Sequence, residues 1–450
     1  MGLGANAMSS ISLVGATHEN YISSRSSERF TIFRGASQIL TFASKGKPKR
    51  GLDMADPGLV KQGAVVVHNG NIVDVGNESD VLNRLVNNEV EEIDAGGRVL
   101  MPGFVDPHTH MIFGGERSRE FEARLLGDHF LHTLKTKGGL YTTTLATRLA
   151  NDENLAASLL HRLETFVKRG TTTIEVKSGY GLSVAEELRH LRVLMAVRSR
   201  IAARLEPTVL ALHARPLEYF DAPEIWVQET IEDLLPRCVA EGLATACDVH
   251  VQPGVFSVAQ CRMVLDAGKR LGLGGRVHAD QMEWTGGSEL AAESGALSAD
   301  HVGYISNAGI SALASSGTVA VLIPGSTMFV PGEQAAPARK LIDSGVTVAI
   351  STDFNPGSSP ILSTPLVIGL SCALYRMSVA EVLSAVTINA ACALGKAKSV
   401  GSIECGKSAD LILLEANDYR EVSYRFGEHL VRDVYIGGRH TATSPVIGTI

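Results

Sequence analysis

The residues whose spacing speaks most directly of chemistry are His108 and His110, in Pro102-Gly103-Phe104-Val105-Asp106-Pro107-His108-Thr109-His110. The apolar lead-in Arg98-Val99-Leu100-Met101 reads as the end of a strand. Alternate side chains of an extended strand share a face, about 6 to 7 Å apart. Two imidazoles so placed can grip one metal ion. A bare His-x-His is common, so its meaning depends on the polar groups that end the later apolar runs. These are Lys177-Ser178-Gly179-Tyr180-Gly181, His213, His250 with Gln252, His278 with Gln281, His301, and Asp353 with Asn355. Taken singly, such a histidine caps a loop and such an aspartate forms a turn. Taken together, three histidines and one aspartate suit a single Zn²⁺ or similar ion with a position left for water. Such an ion lowers the pKa of its water from about 15.7 to about 7. The resulting hydroxide would attack a carbonyl carbon, with Asp353 as the natural proton acceptor. His301 could bond the same water or stabilise the oxyanion. Arg117, after Gly114-Gly115-Glu116, could hold a substrate carboxylate bidentately, or be one more surface charge in the run Glu116 to Glu120.

The elements that must position these groups follow a rhythm. Residues 1–30 form a Ser-, Asn- and Gly-rich leader. From Arg29 to Val99 short apolar runs predict an all-β segment, with an Asn-Gly hairpin at His68-Asn69-Gly70-Asn71. From Met101 apolar runs alternate with helical stretches: Thr171–Val176, Thr208–Leu212, Ala246–Val249, Gly275–Val277, Leu297–Asp300, Val319–Ile323 and Val346–Ile350. Counting the Val99 run, eight βα-like units result, the number of a closed parallel barrel, with a doubly wound open sheet as the alternative. In a barrel the loops after the strands build the active site, and the polar groups fall there. After helical segments from about Ser378 to Lys398, the runs Gly401–Ile403, Asp410–Leu414 and Val431–Ile436 read as strands that complete the N-terminal sheet. The expected architecture is a (β/α)₈ barrel at 101–400, inserted in a small β-sandwich of 31–100 plus 401–450.

The 450 residues, 45% hydrophobic and 20% charged, are enough for such a barrel and a smaller unit. A net charge of −7 speaks against a basic nucleic-acid groove. An acidic substrate must then meet a local cation. Six scattered cysteines without a C-x-x-C pair predict neither a disulfide framework nor a zinc knuckle, and a reducing cytoplasm is expected. The leader lacks the basic-then-apolar pattern of a secretory signal, and Asn6 stands where a myristoylation site has Ser or Thr. No run of about 18 apolar residues predicts a membrane span.

Five stretches carry a family resemblance: Asp106–His110 with Phe113-Gly114-Gly115-Glu116-Arg117, Glu175–Leu182, His278-Ala279-Asp280-Gln281, Ser298-Ala299-Asp300-His301, and Ser351–Ser359. The chain resembles the amidohydrolase superfamily and, within it, the imidazolonepropionase family, over about residues 36 to 440. The resemblance implies hydrolysis of 4-imidazolone-5-propanoate to N-formimino-L-glutamate in histidine breakdown. It implies one divalent ion, zinc or iron, on His108, His110, His278 and Asp353. It implies substrate contacts from Arg117, Tyr180, His213, Gln281, Asn355, Gly357 and Ser358, with Gln281 at the proton-transfer position beside Asp353 and His301. It also implies a homodimer and a small carboxylate substrate. Three departures concern the substrate rim: Phe130 where the family has Tyr, Lys137-Gly138-Gly139-Leu140 for a Gly-Gly-Gly-Ile stretch, and His250-Val251-Gln252 for Phe-Cys-Glu. They keep open a related, hydantoin-like five-membered cyclic amide with an acidic side chain. Gln281 in place of Glu speaks against a deaminase, and an unbroken ligand set against a non-catalytic binding barrel. Lys177 raises one further alternative, a carbamylated lysine bridging two metals.

Overall fold

The computed structural model describes residues 30–85, 89–127 and 138–443. The leader, apart from Phe30, and the departures Phe130 and Lys137 lie outside the described residues.

The runs at Phe30 and Gln38 are a single strand, β1 (Phe30–Leu40), whose register against β2 (Leu59–His68) shifts between Phe33 and Ala36. A bulge of this kind interrupts the alternation by which a strand is recognised in sequence. β2 turns into β3 (Asn71–Asn77) through Asn69 and Gly70, at φ +48° and +80°. Positive φ at both central residues matches the twist of a hairpin. β4 (Val90–Asp94) and β5 (Val99–Pro102) lie parallel to β1.

β5 corrects one expectation: the Val99 run belongs to this sheet, not to the barrel. The break is at Gly103, where a Cβ would stand 2.3 Å from Thr172 Oγ1. There the Gly103 N–H donates to the Asp410 carbonyl, and the Phe104 N–H to that of Gly170. The first barrel strand is therefore β6 (Phe104–Asp106). β7 (Thr171–Lys177), β8 (Arg204–Leu212), β9 (Ala246–His250), β10 (Gly274–Ala279), β11 (Ser298–His301), β12 (Val319–Leu322) and β13 (Val348–Ile350) follow, each parallel to the one before. Between β13 and β6 side chains draw the seam together. The buried Asp106 carboxylate accepts hydrogen bonds from Thr352 Oγ1 (2.6 Å) and Ser351 Oγ, and the His110 N–H donates to the Phe354 carbonyl (2.9 Å). Burial pushes the Asp106 carboxyl up to about 6, against the pull of its hydroxyl donors.

The connecting helices face the barrel with apolar stripes. In Asp152–Lys168, Asn151 caps the N-terminus by accepting the Asn154 N–H, and Leu155, Leu159, Leu163 and Phe166 bury one face at helical spacing. At the far end of the chain, β14 (Leu411–Leu414) pairs antiparallel with β5, and β15 (Val431–Ile436) and β16 (Arg439–Thr443) extend the same sheet. Both ends of the chain thus build a sheet separate from the barrel, in the order β16-β15-β14-β5-β1-β2-β3. Gly401–Ile403, expected as a strand, forms no strand. Among the described residues no helix is long and apolar enough to cross a membrane, and all six cysteines are free.

Candidate active site

The polar rim read from the sequence gathers at the C-terminal ends of the barrel strands. His108 and His110 follow β6 in an extended segment pinned by Thr109, whose hydroxyl donates to the Glu175 carbonyl and whose N–H donates to the Glu175 carboxylate (3.0 Å). Both rings consequently turn to the opposite side, and their Nε2 atoms lie 3.2 Å apart. His278, on β10, brings its Nε2 to 3.4 Å from that of His110. Asp353, after β13, brings Oδ1 to 3.5 Å from His108 Nε2 and 3.3 Å from His110 Nε2. All four side chains are buried.

The tautomers decide what these atoms offer. His108 Nδ1 donates to Asp300 Oδ2 (2.6 Å), and His278 Nδ1 donates to Asp248 Oδ1 (3.1 Å). A carboxylate only accepts, so each Nδ1 carries the proton and each Nε2 presents a lone pair. Burial, the largest cause, and the nearby charge of Lys177 hold these imidazoles neutral: His110 falls to about 3, and His108 and His278 fall far below the ordinary histidine range. The Nε2 lone pairs of His108 and His278, His110 Nε2 and Asp353 Oδ1 thus converge at spacings of 3.2–3.5 Å, an arrangement that one cation between them would satisfy. The spacing also matches the edge of a tetrahedron with bonds of about 2.0–2.1 Å, those of zinc to histidine nitrogen. The donor set therefore fits a divalent metal. Asp353 Oδ1 has no hydrogen-bond partner among the described residues, and burial pushes its carboxyl up to about 8. His301, at the end of β11, lies beside the set with its ring 5.5 Å from that of His278.

Beneath the histidines the barrel holds a layer of charge that the sequence did not reveal. Lys177 Nζ is 2.8 Å from Glu175 Oε1 and 2.8 Å from Asp248 Oδ2, all three fully buried. Arg276 Nε approaches the same Glu175 oxygen (3.8 Å). Burial opposes the Lys177 ammonium, yet Asp248 and Glu175 outweigh it and raise its pKa. Carbamylation needs a neutral amine, so this geometry leaves the two-metal alternative without its bridge. Asp353 and His301 also share a strained backbone, at φ +49° and +75°. For residues other than glycine such strain concentrates where function demands a fixed side chain.

A cavity of about 140 Å³ opens beside the donor set. Arg117, Tyr180, His213, Gln281, Asn355, Gly357 and Ser358, the rim residues expected to contact substrate, all line it. Their states differ. Arg117 is held by Glu120, which accepts from Nε (2.8 Å) and from Nη2, and Gly357 leaves it room: a Cβ there would meet Nη1 at 2.2 Å. His213 Nδ1 donates to the Gly179 carbonyl (2.9 Å). Asn355 is occupied within its own loop, donating to the Asp353 carbonyl (2.7 Å) and to Ser358 Oγ (2.8 Å) and accepting the N–H groups of Gly357 and Ser358. Ser358 Oγ in turn donates to Asp353 Oδ2 (3.3 Å). Sequence reasoning missed Tyr141, Arg215 and Val255 on the cavity wall, and Glu333 behind Gln281: Tyr141 and Glu333 stand away from the strand ends, while Arg215, three residues after β8, was passed over beside His213. His250 and Gln252, noted as departures, line the cavity as well.

Comparison with known proteins agrees with this geometry. Residues 99–440 match the model of the amidohydrolase family. The imidazolonepropionase of Shouchella clausii is 42% identical over 407 residues, spanning 90% of this chain and 91% of that protein. That of Geobacillus kaustophilus is 41% identical over 409 residues, spanning 90% and 96%. Among solved structures, Escherichia coli guanine deaminase superposes with a TM-score of 0.71 at 15% identity, covering 92% of this chain and all of that one. A zinc-bound adenosine deaminase from Xanthomonas campestris superposes at 0.68 with 20% identity, covering 91% and 92%. At such identities the two deaminases share the fold alone.

Proposed function

The chain belongs to the imidazolonepropionase family of amidohydrolases, and from that premise we propose the parts its own residues take in the reaction. The reaction is the metal-dependent hydrolysis of a cyclic amide in histidine degradation: 4-imidazolone-5-propanoate and water give N-formimino-L-glutamate. The observation that carries the assignment of roles is the convergence of three imidazole Nε2 atoms and Asp353 at the floor of the cavity.

His108, His110, His278 and Asp353 hold the divalent ion, and three nitrogens with one oxygen suit zinc or iron. When bound, the metal polarises the ring carbonyl and makes water a nucleophile near neutral pH. Asp353, oriented by Ser358, takes the proton that the attacking water gives up. As the ring C–N bond breaks, Asp353 returns that proton to the departing nitrogen. His301, kept neutral by burial, donates its N–H to the oxygen that gains charge. Gln281 contacts the ring. Arg117 and the Tyr180 hydroxyl bind the propanoate, and the carboxylate displaces Glu120 from part of the guanidinium fork.

The direct test supplies 4-imidazolone-5-propanoate to metal-loaded protein and follows loss of the ring chromophore. No loss from protein of verified metal content would remove this substrate. For Arg117→Met the expected result is a KM about 10- to 150-fold higher for the carboxylate substrate, since a charge-assisted pair contributes about 1.5–3 kcal/mol. An uncharged cyclic amide should be affected little. Equal losses on both would make Arg117 a structural residue.

A further inference from the structure

Two glutamine side chains reach the cavity, and each is gripped from behind by a glutamate. Gln281 Nε2 donates to Glu333 Oε2 (3.3 Å), and Ser326 Oγ donates to the same oxygen (2.6 Å). Gln252 Nε2 donates to Glu283 Oε1 (3.3 Å). A carboxylate accepts and does not donate, so each glutamate selects the NH₂ end of its partner and turns the carbonyl end away. Gln252 Oε1 is buried and has no hydrogen-bond partner among the described residues. His250 lines the same cavity. Its Nδ1 faces the His213 carbonyl (3.4 Å), an arrangement that requires the proton on Nδ1. Its Nε2 is then a lone pair, likewise buried and without a partner.

We infer that Glu283 and Glu333 are positioning residues: by holding the NH₂ ends of Gln252 and Gln281 they turn the carbonyl ends into a wall that, with His250 Nε2, offers hydrogen-bond acceptors to a ligand. The ligand class that satisfies this wall is a ring with N–H donors on the edge away from its carboxylate. The inference rests on the reading of the cavity as a cyclic-amide site and adds the feature of the ring that is recognised. A buried acceptor facing a methylated nitrogen loses its partner, and sites built to hydrogen-bond a donor reject analogues that lack one. Burial pushes the Glu333 carboxyl up to about 8. When the carboxyl is neutral and its proton sits on Oε1, Oε2 remains an acceptor for Gln281 Nε2 and Ser326 Oγ.

The experiment is calorimetric binding to the metal-loaded protein of two slowly reacting rings, hydantoin-5-propanoate and its N-methylated form. The wild type should bind the N–H ring about 5- to 150-fold more tightly, one unprovided hydrogen bond costing about 1–3 kcal/mol. Glu333→Gln and Glu283→Gln each offer an NH₂ group that lets the neighbouring glutamine turn over. In each variant the ratio should shrink severalfold, with metal content and melting temperature unchanged. Glu283 is exposed, so its variant reports even if Glu333→Gln folds poorly. Equal binding of the two rings by the wild type, binding of neither, or an unchanged ratio in both variants overturns the inference. If discrimination is seen while 4-imidazolone-5-propanoate is not turned over, the substrate assignment falls and the acceptor wall stands.

Discussion

Asp353→Asn is expected to lose at least about a thousandfold in kcat/KM and most of its bound metal, while keeping its fold. The substitution is nearly isosteric, so the hydrogen bonds that Ser358 and Asn355 make around this residue have a counterpart in the variant. What it removes is the one anionic donor among the proposed ligands and the group that receives the proton of the attacking water. A thousandfold is about 4 kcal/mol of transition-state stabilisation, within what electrostatic and proton-transfer roles supply. The buried carboxyl already favours its neutral form. Exchange for a neutral amide therefore should not destabilise the metal-free protein. Metal analysis, steady-state kinetics and thermal melting together check the expectation. Full metal occupancy with activity within tenfold of the wild type would remove Asp353 from both roles.

Lys177→Met is expected to act on the fold and the metal site at once. Lys177 lies between Glu175 and Asp248 with no access to water. Its loss leaves Glu175, Asp248 and Asp300 buried with Arg276 as the neighbouring cation among the described residues. Breaking one buried pair costs about 3–5 kcal/mol, because the remaining charge has nowhere to go. The denaturant midpoint should fall accordingly. The second effect is on affinity. Asp248 orients His278, and Asp300 orients His108. Disturbing such partners weakens metal binding by about 10- to 100-fold. Competition with a chelator of known affinity measures it in the fraction that folds. A variant as stable as the wild type and as tight for metal would show that the charge layer is not needed. Glu175→Gln tests the same layer more gently, since it keeps the shape and removes one charge.

Much of the barrel could be read in the chain because its causes are local. Apolar runs such as Thr171–Val176 and Val319–Ile323 alternate with amphipathic stretches, and that rhythm follows from burying a parallel sheet under helices. The first strand was misplaced by a few residues. What separates Val99–Pro102 from Phe104–Asp106 is the closeness of Gly103 to Thr172, a contact made across the fold. The bulge in β1 escaped for a similar reason, since it is defined by a partner strand.

The site divides along the same line. The sequence by itself determined which residue types stand at the strand ends: His108, His110, His278, His301 and Asp353, with Arg117 and Gln281 nearby. Spacing and pattern express that much, because each group is tied to its own strand. Only the tertiary structure decided what each of them offers. The proton positions on His108 and His278 are set by Asp300 and Asp248, which come from other strands. Lys177, which in sequence resembled a possible metal bridge, is turned into the barrel by two carboxylates. Gln281 receives its orientation from Glu333, 52 positions away. Hydrogen-bond direction, tautomer and ionisation are properties of pairs. Where the partners lie far apart in the chain, folding alone brings them together.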